Sequence, residues 1–169
     1  IGAIAARIGA DVPSQLEPRP CLVAGAGEVV QPVPPPGPHA VVLVPQPEGL
    51  STADVYARAG AITPPRGEAE LEVVRRRIED SLATGGSPLD YTENLVNDLQ
   101  PAAVEMRPEI EEVLDALGAA GAGHAMVTGS GPTAFGLFAD DAAAERAVEA
   151  LGESHPQALA TGPLYGGAR

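Results

Sequence analysis

The chain has 169 residues, room for one domain or one and a fraction. All 10 of its basic residues are Arg, set against 23 Asp and Glu, for a formal charge of −13. No lysine of this sequence can therefore grip a phosphate, form a Schiff base or act as a base, and the acidic balance argues against binding nucleic acid or an anionic membrane.

The apolar weight lies in Ala, Val and Leu, since aromatics are 3% and Trp is absent. No apolar run approaches the ~18 residues of a membrane span. Cys21, alone, can make no internal disulfide, and no Cys/His group has metal-ligand spacing. In chain order, Ile1, Ile4, Ala5 and Ile8 share one face at helical spacing before Gly9 stops the pattern. This opening reads as the end of a helix, and the chain is expected to begin partway through a larger fold. Two apolar runs, PCLVAG and HAVVLVP, predict strands, and the turn Gly25-Ala26-Gly27-Glu28 resembles a link between two strands. The Pro-rich stretch from Gln31 to Pro38 predicts a stiff connector.

Ser51 and Thr52 cap a predicted helix carrying Asp54 in its first turn. The next helix has an apolar stripe of Leu71, Val74, Ile78 and Leu82 and ends at Gly85-Gly86; its Arg75-Arg76-Arg77 run predicts a solvated face paired with Glu. YTENLVNDLQ is expected to be helical until Pro101, and Pro108 opens a further helix. HAMVTG and AFGLF predict two strands joined by a Gly129-Ser130-Gly131-Pro132 turn. Asp140-Asp141 starts a last helix, and PQALAT and the loop GPLYGG end the chain. From His39 the order is strand, helices, strand, strand, helix, strand. The expected fold is thus α+β: a ferredoxin-like β-α-β-β-α-β domain over 39–169 with extra helices, preceded at 1–38 by a remnant of a neighbouring unit.

Three segments together resemble the GHMP kinases, ATP-dependent kinases of small molecules. They are Gly9-Ala10-Asp11-Val12-Pro13, the run from Pro47 to Tyr56 containing Gly49-Leu50-Ser51-Thr52, and the run from Thr128 to Phe135. Asn97-Asp98-Leu99 ahead of the Pro108 helix start adds to the set. The resemblance runs from Ile1 to about Phe138. It implies a GHMP kinase C-terminal domain, with 1–38 a remnant of the N-terminal domain. Within the family the likeness is to the branch that phosphorylates the 2-hydroxyl of a cytidine diphosphate-linked methylerythritol in non-mevalonate isoprenoid precursor synthesis. It further implies ATP and magnesium as cofactors and a cytoplasmic enzyme.

By the same resemblance Asp11 is the catalytic base, Thr52 and Tyr56 border the cytidine pocket, and Gly129, Ser130, Gly131 and Thr133 line the phosphate site. The residue types alone leave other roles open: a turn aspartate, a core tyrosine beside a cap-region threonine, and an ordinary hairpin turn. The family's loop Pro-x-x-x-Gly-Leu-Gly-Gly-Gly-Ser-Ser and its N-terminal lysine are missing from these residues, and Ser14-Gln15 stands where the family carries aromatics. A missing N-terminal kinase half is therefore the implied partner, and the fragment alone is expected to be inactive. A homoserine- or mevalonate-type kinase and a non-catalytic module binding a small ligand are the alternatives.

Overall fold

A computed structural model describes residues 2–62 and 64–163; Ile1 of the first predicted face and the loop from Leu164 onward lie outside the described residues. Helix α1 (Gly2–Ile8) buries Ala5, while Ile4 and Ile8 are 64% and 71% exposed. Strands β1 (Cys21–Ala24) and β2 (Val29–Pro32) form an antiparallel hairpin with Ala24 opposite Val29. The expected connector therefore begins two residues late. Pro32 is tolerated at the end of a two-stranded ladder, where its missing N–H leaves no inner strand unpaired.

Strand β3 (Ala40–Val44) alternates fully and half-buried residues, with Ala40, Val42 and Val44 turned into the core. It is followed by helices α2 (Thr52–Ile62), α3 (Glu68–Ala83), α4 (Gln100–Met106) and α5 (Glu109–Ala119). Strands β4 (His124–Val127) and β5 (Ala134–Phe138), helix α6 (Asp141–Leu151) and strand β6 (Leu159–Thr161) complete the domain. The four strands lie in the order β4-β5-β3-β6, every neighbouring pair antiparallel. This is the expected β-α-β-β-α-β plan, with α2, α3 and α4 enlarging the first crossover.

Burial follows the apolar spacing. Helix α5 contributes Val113 and Leu117, and α6 contributes Ala144, Ala147 and Leu151, to a core with β3 and Phe138. Glu109, Glu111 and Glu112 sit in the first turn of α5, where the helix dipole favours acid. Asp140 caps α6, its Oδ1 accepting the Ala143 N–H at 2.7 Å. A second cluster joins Val55 of α2 to Ala102, Ala103, Ile110 and Val127. It docks α2 beside the end of β4.

The expected helix over 91–100 does not form. Ser87 and Asp90 make a capping box around a 3-10 turn at Pro88–Asp90, and a second such turn spans Thr92–Asn94. Leu95 is extended, and the Asn97 side chain accepts the Leu99 N–H at 3.0 Å. Side-chain bonds of this kind compete with the helix ladder. Helix α4 then starts at Gln100 with Pro101 inside its first turn, a position that needs no proline N–H. Of the stripe on α3 only Leu82 is buried, and Leu71 is half in solvent.

Candidate functional site

The loop between β4 and β5 is closed by Thr128 N–H donating to the Thr133 carbonyl (2.9 Å) and Gly131 N–H donating to Thr128 (3.0 Å). Gly129 and Gly131 adopt φ of +57° and +79°, a backbone that L side chains rarely take. Among the described residues the N–H groups of Gly129 and Ser130 find no acceptor. Free, successive N–H groups in a tight turn form an anion-binding concavity.

Two neighbours hold this loop. Thr52 Oγ1, at the start of α2, lies 2.9 Å from Ser130 Oγ, 78 residues away in sequence. On the other side the Asn97 amide donates to the carbonyls of Val127 and Gly129, both at 2.8 Å. Gln100 Oε1 accepts the Val127 N–H at 2.9 Å. Asn97 thus has both amide hydrogens and its oxygen engaged. The sequence marked Asn97 as part of a resemblance and left Gln100 unmarked. The only local signal was an Asn-Asp pair, a turn former, inside an apparent helix.

Tyr56 lies one helical turn beyond Thr52 and is 61% exposed, so it is not a core tyrosine. Its ring walls a cavity of about 370 Å³ with Pro64, Pro65, Leu71 and Leu99. Arg66 and Asp98 close one edge, paired at 2.9 Å. The half-exposure of Leu71 is the lining of this cleft. An apolar slot with an aromatic wall and a charged pair at its rim suits a flat ring carrying polar edges.

Asp11 lies in an exposed turn after α1. Its carbonyl accepts from Ser14 Oγ at 2.8 Å, and Val12 N–H donates to the Gly9 carbonyl at 3.2 Å. Its carboxylate accepts no hydrogen bond among the described residues, so it does not cap its own turn. Gly27, in the β1–β2 turn, packs directly on Ala10. No hydrogen bond joins the Asp11 turn to the Gly129 loop among the described residues. The structure therefore brings Thr52, Tyr56 and the glycine loop into one region and leaves Asp11 on the hairpin.

In the Arg75-Arg76-Arg77 run the expected pairing with Glu is seen for Arg75 and Arg76. Arg75 and Arg76 bond Glu72, and these bonds hold its carboxyl below the usual carboxylate value. Arg75 also reaches Glu79 and Gln31, tying β2 to α3. Cys21 is half-buried, in a shallow cleft with Leu22 and Leu82. Among the described residues no group of three or more His, Cys, Asp and Glu could hold a metal ion, and no helix is long and apolar enough to cross a membrane.

Residues 88–157 match the family described as GHMP kinases C terminal. A 4-diphosphocytidyl-2-C-methyl-D-erythritol kinase of Rhizobium etli is 38% identical over 156 residues, which are 92% of this chain and 49% of that protein. A crystal structure of 4-(cytidine 5'-diphospho)-2C-methyl-D-erythritol kinase superposes with a TM-score of 0.69 at 29% identity, over 94% of this chain and 55% of that one. A homoserine kinase from Cytophaga hutchinsonii shares the fold, with a TM-score of 0.61 at 20% identity over 83% of this chain and 46% of its own. The chain thus spans about half the length of the curated relatives it matches.

Proposed function

We propose, from the match of residues 88–157 to the GHMP kinases C terminal family, that this chain is the C-terminal part of a cytoplasmic kinase that transfers the γ-phosphoryl of ATP to the 2-hydroxyl of 4-diphosphocytidyl-2-C-methyl-D-erythritol. The product would feed non-mevalonate isoprenoid synthesis. The observation that carries the reading is the meeting of Thr52 with Ser130 at 2.9 Å. It sets the α2 segment, with Tyr56 one turn along, against the glycine loop, so a ligand's ring and its phosphates could be held by adjacent elements. The names and coverage of the relatives support the substrate class.

The roles follow from the chemistry of each group. Tyr56 stacks on the cytosine, a contact worth about 1–3 kcal/mol. Gly129, Ser130, Gly131 and Thr133 line the phosphate site, with the Gly129 and Ser130 N–H groups turned to anionic oxygen. Asp11 takes the proton of the substrate hydroxyl as that oxygen attacks the γ-phosphorus and the bond to the ADP oxygen breaks. Asp11 is exposed and, among the described residues, its carboxylate accepts no hydrogen bond, which leaves it open to a substrate hydroxyl. Magnesium, bound to the phosphates of ATP, would neutralise charge on the transferred group.

Residues 1–38 belong with an N-terminal half that supplies the glycine-rich nucleotide loop and the lysine. The 169 residues alone then give no turnover, and adding that half restores it. In the longer polypeptide Asp11→Asn should lower kcat by about 10²–10⁴-fold with little change in KM. Steady-state assays with the cytidine diphosphate-linked substrate, homoserine and mevalonate as acceptors test this. Turnover of homoserine or mevalonate alone would overturn the substrate, and an unchanged kcat in Asp11→Asn would overturn the base.

A further inference from the structure

We infer that Gly27 is a positioning residue for Asp11: the turn of the β1–β2 hairpin is the seat on which the backbone just before the aspartate rests. The inference rests on Asp11 being the base. Gly27 is buried, in a region where Ala5 is the only other buried residue between 2 and 38. Its φ is +97°, so an L side chain there is strained whatever the space. There is also no space. A Cβ at Gly27 would land on the Ala10 carbonyl oxygen, 2.6 Å from the carbonyl carbon and 2.7 Å from Ala10 Cα. These obstacles are backbone, which cannot swing aside as a side chain can.

Residue 10 is bonded covalently to Asp11, and the turn beyond is stiffened by the Val12-to-Gly9 and Ser14-to-Asp11 hydrogen bonds. A push on Ala10 is therefore passed to the carboxylate. The seat itself is braced. Glu28 accepts the Ala26 N–H at 2.6 Å, and Gly27 N–H donates to the Ala24 carbonyl at 3.2 Å.

Gly25 provides the internal control. It lies in the same turn at φ +69°, but the atoms nearest to the Cβ it lacks all belong to the Glu28 side chain, with Cδ at 2.7 Å. Gly25→Ala displaces the Glu28 brace but adds no atom against the Ala10 backbone contact of Gly27.

The test is made in the longer, active polypeptide by steady-state kinetics with thermal melts alongside. Relieving the overlap needs a shift on the order of 1 Å next to Asp11, and misplacement of that size costs about 10²-fold in rate. Gly27→Ala should lower kcat by about that factor and leave both KM values within about 3-fold, since substrate binding is not its work. Gly25→Ala, which disturbs only the side-chain brace, should cost clearly less in kcat than Gly27→Ala. In the Asp11→Asn background, Gly27→Ala should add no further loss, because its effect passes through the carboxylate. A folded Gly27→Ala enzyme with unchanged kcat overturns the inference, as does an equal additional loss in the Asp11→Asn background. If Gly27→Ala does not fold, Glu28→Ala, which loosens the seat without adding atoms, takes its place: a fall in kcat at constant KM supports the inference, and unchanged kinetics overturn it. Failure of the underlying reading shows separately, as full activity of Asp11→Asn alone.

Discussion

The Asp11 turn and the Gly129 loop both carry proposed active-site groups, yet they are held by different physics. The loop sits at the end of a sheet whose core contains Val42, Val44, Leu117 and Phe138, and side chains from two other elements bond to it. The turn lies on a two-stranded hairpin, with its helix burying Ala5 and showing Ile4 and Ile8 to solvent. A two-stranded hairpin is at best marginally stable alone. Here it leans on α3 through Arg75, Gln31 and Glu79, and on the Gly37 N–H that donates to the Gly86 carbonyl at 2.9 Å. The geometry of the loop is thus set by this domain's own core. The geometry of the turn is set by its own hydrogen bonds, the Gly27–Ala10 backbone contact and surfaces with little apolar cover.

The largest effect expected from this contrast is in the core. Phe138 is 2% exposed, and Phe138→Ala should cost about 3–5 kcal/mol of stability through lost burial and a cavity. Ile8→Ala in the same 169-residue chain, at a site 71% exposed, should move stability by no more than about 0.5 kcal/mol. Urea midpoints for the two variants measure both. Comparable losses would break the comparison, because they would place Ile8 in a core of its own.

A smaller difference is expected in the clamps. Asn97→Asp keeps the acceptor for the Leu99 N–H but removes both donors to Val127 and Gly129. Leaving those carbonyls without donors should cost about 1–3 kcal/mol and speed exchange of the Gly131 amide. Ser14→Ala removes the exposed bond to the Asp11 carbonyl and should cost under about 0.5 kcal/mol. Urea melts and amide exchange of the paired variants read the contrast, and a Gly131 amide left unchanged in Asn97→Asp would show that the core alone holds the loop.

Much of the sheet domain was legible in the sequence because its elements obey local rules. The apolar run of Ala40–Val44, the Asp140-Asp141 start of α6 and the Pro108 opening of α5 each specify an element without outside help. The segment 91–99 was misread because Leu95 and Leu99 imitate a helical pair. What decides its path is Asn97 bonding carbonyls 30 and 32 residues away, a term no local window contains. The same holds for the site. Thr52, Tyr56 and the glycine loop were marked by resemblance, but the Thr52–Ser130 meeting is a tertiary event. Gly27 reads as a common turn glycine, and only the fold reveals that Ala10 occupies the space a side chain would need.

The smallest expected effect concerns protons and sharpens the contrast, since residues 1–38 contain no histidine. His124 on the edge strand β4 is half-buried, its Nε2 3.3 Å from Met126 Sδ. Burial lowers its pKa below the ordinary 6.5, and the nearby Leu95 backbone opposes that shift only in part. Because the folded value is the lower one, the unfolded chain binds the proton more tightly. Stability is therefore highest above the unfolded value and falls as pH drops through 6.5 and then through the folded value. His124→Asn removes the proton site, so the stability difference between wild type and variant should shift in the variant's favour between pH 7.5 and about 5.5, a window above the ordinary carboxylate range of about 4. Urea melts of both proteins at the two pH values measure it, and subtracting one from the other cancels the common titration of the carboxylates. A difference that does not move with pH would mean that water reaches the ring freely and that the β4 edge, which also carries the glycine loop, is looser than the core behind it.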